Sequence, residues 1–431
     1  MMEFIAFPER EIFRQLCRRP QIKSELLNAD ILSIFDRVAK LGYEAVREFT
    51  MKYDGVDISD PSVNLADYEV AFSQIKPELK RAIQTAYQNI RLFHEAQIQT
   101  EWSVETMQGV VCSQKSVGIE RVGLYIPGGS APLFSSVLML AIPAMIAGCR
   151  EVVLCTPPEP SGKIHPVTAW CARLCGINEI YAAGGAQAIA MMTLGTEYCK
   201  PVYKLFGPGN QYVTAAKQYA VQFGVAADIP AGPSEVLIFA DHTAVPEFIA
   251  SDLLAQAEHG PDSQVVLVSL SRAIADEVLI HLKNQLSDLP RKKIAEQALS
   301  TSRIILINTV ENAFELINMY APEHLIIASE IPELYKELIT NAGSVFMGNY
   351  TPESAGDYAS GTNHTLPTNG WAKSYSGLNV DAFTKKITFQ TISRPGLARL
   401  GPDVMEMAEA ESMDAHAAAV SVRLKSLNTL S

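Results

Sequence analysis

What the chain lacks narrows the field before any motif is read. No apolar run reaches the ~18 residues that a membrane-spanning helix needs, so none is expected. Cys-X-X-Cys pairs are missing, and the seven cysteines are an odd number. They are expected to be reduced thiols of a cytoplasmic protein, mostly small buried residues. An excess of positive charge is lacking too. The net charge of −12 argues against a nucleic-acid backbone as partner, though not against a cationic substrate or a metal ion. The opening MMEFIAFPEREIFRQLCRR is too charged for a secretory signal. There is no G-x-G-x-x-G, and hence no ordinary dinucleotide fingerprint. No repeat period and no low-complexity tract is visible.

What is present reads as a globular α/β protein. With 431 residues and 48% hydrophobic content, the chain exceeds one ordinary core and is expected to form more than one packed unit. The first hundred or so residues have the three- and four-residue apolar spacing of helices. From Val122 short apolar runs, Gly-rich turns and helical stretches alternate: VGLYIPGG, EVVLCTPP, EIYAAGGAQAIAMM, VYKLFGPGN, EVLIFAD. A second alternating set follows, with SQVVLVSL, SRIILIN and LIIAS as its strands. Such alternation builds parallel sheets covered by helices on both faces. Ligands are expected at the carboxyl ends of the strands, where the Gly-rich turns fall. The fold class is therefore α/β, with two doubly wound, Rossmann-like units and terminal appendages. The expected division is an N-terminal helical tail (1–21), a first α/β domain (22–124 with 233–375), a second (125–232), and an extended then helical C-terminal segment (376–431).

Four polar constellations interrupt this pattern. In LLAQAEHGPDSQ, Gln256 and His259 are three apart at the end of a helix and share an edge, whereas Glu258 falls on the far side. They form either a polar cluster capping the helix end or a ligand pair, and glutamine is a poor first choice for zinc. In YAPEHLII, Glu323 and His324 follow a proline at a junction where a carboxylate and an imidazole divide acid and base work, or else one is packed and one solvated. SAGDYASGTNHTLPTNG is read as a long polar loop holding Asp357, a hard ligand, and His364, a hydrogen-bonding residue. Glu411 and His416 stand five apart on the last helix, too far for one ideal face unless a cap or kink intervenes.

Taken in order, these stretches together with GLYIPGGSAPLFSSVLMLAIPA, FGPGNQYV and DIPAGPSEVL resemble the blocks of the histidinol dehydrogenase family, from about residue 20 to the C-terminus. The resemblance implies NAD-dependent oxidation of L-histidinol to L-histidine in two steps, the last in histidine biosynthesis, through an aldehyde kept on the enzyme. It implies one Zn²⁺ per subunit held by Gln256, His259, Asp357 and His416, with Glu323 and His324 as acid/base residues. Substrate contacts carry over to Ser234, Gln256, His259, His324, Asp357, Glu411 and His416, and NAD⁺ contacts to Tyr125, Gln187 and Asn210. It further implies a homodimer in which the segment bearing Glu411 and His416 completes the partner's site. His324 is expected neutral at working pH. Two rival readings are a cysteine nucleophile, with Cys112 or Cys149 as candidates, and a catalytically silent nucleotide-binding protein.

Overall fold

Apolar strands come in two sets, and each set builds one parallel sheet. The computed structural model describes residues 2–19, 25–128, 132–229 and 232–428. Its strands are β1 (Glu3–Ala6), β2 (Trp102–Met107), β3 (Val110–Gly118), β4 (Arg121–Tyr125), β5 (Glu151–Thr156), β6 (Glu179–Ala182) and β7 (Lys204–Phe206). They continue as β8 (Ala226–Ala227), β9 (Glu235–Ala240), β10 (Gln264–Ser269), β11 (Arg303–Leu306), β12 (His324–Ala328), β13 (Ser344–Met347) and β14 (Thr384–Ile392). One sheet runs β6-β5-β4-β7-β8 and the other β1-β11-β10-β9-β12-β13, all parallel. Counting strands within each sheet and setting β1 aside, both have the order 3-2-1-4-5 of the dinucleotide-binding half-fold. The expected pair of Rossmann-like units is present.

Both sheets are buried on both faces, which is why their strands read as unbroken apolar runs. On β9 and β10, Val236, Ile238, Val265 and Leu267 pack under the helix Pro246–Ala257, while Leu237, Phe239, Val266 and Val268 pack under the helix Val310–Tyr320. The β4 sheet takes Leu124 and Leu154 to one face and Val153 and Leu205 to the other.

Two assignments of segments to lobes differ from the sequence reading. The tail 1–21 was expected to be helical, but β1 pairs with β11 as an edge strand, and Phe13 and Leu16 enter the core beneath β9 and β10. Residues 22–124 were expected with 233–375, yet Ile31, Phe35, Val46 and Phe49 pack against the β4 sheet. An amphipathic stripe shows that a face is buried; it carries no mark of the sheet that buries it.

The larger compact unit comprises Met1–Gln97 with Ile119–Phe383 and contains both parallel sheets. A smaller unit, Ile98–Gly118 with Thr384–Ser431, holds an antiparallel sheet β14-β3-β2 and the helices Arg394–Ala410 and Asp414–Asn428. The two helices approach closely at Gly401, where a Cβ would lie 2.9 Å from Leu424 Cδ1. The extended stretch near 384 is β14, as the sequence suggests, and its partner hairpin β2–β3 is an element the sequence reading lacks.

Candidate active site

The larger unit places Glu323 and His324, the expected acid/base residues, at the beginning of a strand, not at its end. The helix Val310–Tyr320 stops at Ala321, whose φ of +52° is uncommon for a residue with a side chain. Pro322 keeps the chain extended, Glu323 follows, and His324 is the first residue of β12, beside Val236 of β9. Glu235 opens β9, so β9 and β12 begin together at the point where the strand order of this sheet reverses. Glu323 and His324 thus stand at the amino ends of this sheet's strands, whereas the sequence places ligands at carboxyl ends.

The backbone of Glu235 holds both side chains. Its N–H donates to Glu323 Oε2 at 2.8 Å, and its carbonyl accepts from His324 Nδ1 at 3.2 Å. With Nδ1 carrying the proton, a neutral His324 has its lone pair on Nε2. That atom is buried without a hydrogen-bond partner and lies 3.5 Å from Asp357 Oδ1. Asp357 does not sit in a loop, as the sequence suggested, but on the short helix Glu353–Tyr358. One turn earlier on the same helix is Glu353, which the sequence reading missed. Its signal was the four-residue spacing Glu353–Asp357, visible only once the segment is known to be helical.

Gln256 is completely buried and links these groups. With its amide turned to match its neighbours, its NH₂ donates to the Glu353 carboxylate and its Oε1 accepts from the Glu235 N–H at 3.0 Å, a proton shared with Glu323. His259 lies beyond the end of the helix Pro246–Ala257, exposed to the cleft, with Glu258 as the half-buried capping residue between them. The helical-edge argument for this pair thus holds for Gln256, while His259 reaches the cleft through the turn. His364 is the hydrogen-bonding residue expected: Nδ1 meets the Asp357 carbonyl at 2.9 Å and Nε2 meets Ser136 Oγ at 3.1 Å.

The electrostatics are dominated by three carboxylates around one imidazole. Burial opposes protonation of His324, but Glu353, Glu323 and Asp357 overcome it and hold the ring well above its ordinary pKa. Burial pushes Glu323 up to about 8, against the pull of His324 and the Glu235 N–H. For Asp357 burial raises the pKa, yet His324 prevails and holds the carboxyl below the usual range. In the chain without a cation, this cluster of carboxylates favours a protonated imidazole at His324.

Such a cluster fits a divalent cation. His324, Glu353 and Asp357 present ligand atoms within 4.8 Å of one another, and Glu353 Oε2 is buried without a partner. The donors are carboxylate, imidazole and amide, with no thiolate, as suits an exchangeable borderline ion. Of the expected ligands the larger unit gathers Gln256 and Asp357 at this cluster. His416 belongs to the smaller unit. There a break at Ser412 (φ +58°) separates Glu411, which caps one helix, from His416 in the first turn of the next, and both are exposed.

A cleft of about 1430 Å³ opens at the start of β9, lined by Ser234, Glu235, His259, Asn210 and Arg19 among others. It exceeds the ~300–1,000 Å³ of most small-molecule pockets, so it has room for a cofactor as well as a substrate. Asn210 caps the helix Gln211–Ala220, its Oδ1 accepting from Tyr212 and Val213 N–H groups, and its NH₂ is left for a ligand. Tyr125 and Gln187 are buried and meet around Gly185: the Tyr125 hydroxyl accepts from Gly185 N–H at 3.0 Å, and Gln187 Nε2 has no partner. That spare donor and the helix N-terminus at Asn210 suit a polar, anionic cofactor. Behind them the buried Lys217–Asp228 pair grips Gly207 of the GPGN turn through its carbonyl and its N–H, each at 2.7 Å.

The thiols give no support to a cysteine mechanism. Burial pushes Cys149 up to about 12 and Cys17, which lines the cleft, up to about 11. Cys112 stands on β3 in the smaller unit.

Comparison with known proteins identifies the family. The histidinol dehydrogenase family model matches residues 17–424. Histidinol dehydrogenase of Bacteroides thetaiotaomicron is 52% identical over 99% of this chain and 100% of its own length. That of Xylella fastidiosa Temecula1 is 49% identical, covering 96% of each. A crystal structure of histidinol dehydrogenase from Elizabethkingia anophelis superposes with a TM-score of 0.97 at 52% identity, covering 99% of both chains. The chain belongs to the histidinol dehydrogenase family.

Proposed function

We propose that this chain oxidises L-histidinol to L-histidine in two successive NAD-dependent steps, the last of histidine biosynthesis, with the intermediate aldehyde retained in the cleft. The observation that carries the reading is the arrangement of Glu323 and His324 on the backbone of one residue, with His324 Nε2 buried and unpaired beside the cation-demanding cluster. Gln256, His259 and Asp357, with His416 of a second copy, would hold the cation, while Ser234 and the second copy's Glu411 would contact the substrate. A Zn²⁺ held there would supply positive charge to the carboxylate cluster and help orient histidinol. Tyr125, Gln187 and Asn210 would hold NAD⁺, the hydride acceptor of each oxidation.

His324 Nε2 takes the hydroxyl proton of the alcohol in the first oxidation. Glu323, as carboxylate, removes a proton from the water that adds to the aldehyde. His324 takes the proton of the resulting hydrate in the second oxidation. Burial of both side chains keeps bulk water away while the aldehyde waits.

The smaller unit supports the dimer. Trp102 and Val104 project from one face of its sheet and Ile387 and Phe389 from the other, all at least 40% exposed. A three-stranded sheet showing large apolar side chains on both faces needs a partner, and a second copy of this chain is the one that also brings Glu411 and His416 to a site. No helix among the described residues is long and apolar enough to cross a membrane, consistent with a cytoplasmic enzyme.

The test is NADH formation from L-histidinol with and without a chelator. Two NADH per histidinol, abolished by chelation and restored by zinc, is the expected result. A protein that binds NAD⁺ but forms no NADH would belong to the silent-binder reading instead.

A further inference from the structure

The N-terminal segment enters the cleft through Arg19. Its guanidinium forks onto the Glu235 carboxylate, Nε to Oε2 at 2.7 Å and Nη2 to Oε1 at 2.8 Å. Nη2 also donates to the Tyr320 carbonyl at 2.8 Å, and the guanidinium lies 3.8 Å over the centre of the Tyr320 ring. Nη1 donates to the Cys17 carbonyl. The Glu235 side chain is 2% exposed, and the Tyr320 hydroxyl, which donates to Gln264 Oε1 at 2.8 Å, lies 3.3 Å from it.

These two anchor points are the chain segments from which the acid/base pair emerges. Glu235 provides the N–H that holds Glu323 and the carbonyl that fixes the His324 tautomer. Tyr320 precedes the left-handed turn at Ala321 that delivers Pro322, Glu323 and His324 to β12. One planar, bidentate side chain thus ties the start of β9 to the approach to β12. Most of its donors are spent on protein acceptors, so although Arg19 lines the cleft it is not free to clamp a cofactor phosphate.

We propose that Arg19 is a positioning residue for the Glu323–His324 pair, acting through its ion pair with Glu235; the inference rests on the roles given to that pair above. Removing the guanidinium leaves a buried carboxylate without its partner. Glu235 then shifts, and the peptide groups on which Glu323 and His324 hang shift with it.

Arg19→Ala is expected to lower kcat for histidinol by about 10- to 100-fold with KM changed by less than about 3-fold, because misplacement by an ångström has costs of that order. Added guanidinium ion restores part of kcat, and Arg19→Lys falls between wild type and alanine, since an ammonium cannot span both carboxylate oxygens. Folded Arg19→Ala with wild-type kcat overturns the proposal, as does a loss of kcat that guanidinium leaves untouched. Should Arg19→Ala fail to fold, Arg19→Lys decides: unchanged kcat overturns the proposal. Glu323→Gln and His324→Asn are assayed alongside. If these two keep wild-type rates the functional reading fails; if they lose activity and the Arg19 variants do not, only the positioning role fails.

Discussion

At the scale of single residues, the tautomer of His324 follows from one hydrogen bond to a backbone carbonyl, and its basicity from the company of three carboxylates. Losing the ring removes the base from both oxidations, so His324→Asn is expected to slow alcohol and aldehyde oxidation alike, by about 10²–10⁴. Zinc content measured on the purified variant stays at the wild-type level, because His324 is assigned to proton transfer and not to the ion. Depleted zinc would move it into the ligand set. Glu323 has a separate task. It must be ionised to activate water, and burial raises its pKa to about 8. An acid with a raised pKa loses its proton only as pH climbs through that value, so aldehyde oxidation is expected to increase with pH across it. Glu323→Gln loses that ascending limb and impairs aldehyde oxidation at least ten-fold more than alcohol oxidation. Equal losses in the two half-reactions would take water activation away from Glu323.

At the scale of elements, the helix Pro246–Ala257 carries a half-buried acid as well as the buried Gln256. Four residues before Gln256, Asp252 is pushed by burial to about 7. The unfolded carboxyl ionises near its ordinary value, so the contribution of Asp252 to stability is intact below that value. It is lost as pH rises through about 7, when the folded carboxyl must ionise as well. Asp252→Asn is expected to raise the thermal midpoint at pH 8 and to leave it unchanged near pH 3; after allowance for partial solvent access the gain is roughly 1–3 kcal/mol. Differential scanning calorimetry at both values checks this, and an equal shift at both would deny the ionisation any part. The elements also mark what a sequence can disclose. Buried parallel strands and the helices between them were legible because period and turn chemistry are local. Glu353 was not, because a helix of six residues inside a polar segment leaves no periodic trace. Nor was the Arg19–Glu235 pair, whose members are 216 positions apart and whose meaning is entirely tertiary. The β2–β3 hairpin escaped for another reason: every residue of β2 is exposed in the single chain, so it lacks the inward face that alternation reports.

At the scale of the whole molecule, two sheets of the same strand order are used at opposite ends. The β4 sheet offers its carboxyl-end turns, with Asn210 and the Gly185 turn, as doubly wound folds do. The β9 sheet offers its amino end, where β9 and β12 start with Glu235 and His324. Duplication of topology therefore does not duplicate the placement of candidate residues: the expected acid/base residues open strands of one lobe, and the expected cofactor contacts lie at carboxyl-end turns of the other. The sheet and helices of the smaller unit carry the apolar faces, with Glu411 and His416 beside a helix break, that a second copy is expected to cover. The central claim is that each site takes its acid/base pair from one chain and Glu411 with His416 from another. Subunit mixing tests it most directly: His324→Asn and His416→Ala homodimers, each inactive, are dissociated together and reassembled. Random pairing makes half the dimers mixed, each with one intact site of two, so about a quarter of the wild-type rate should return. Mixed dimers that remain as inactive as the parents would show that every site is built from a single chain, and would contradict the account.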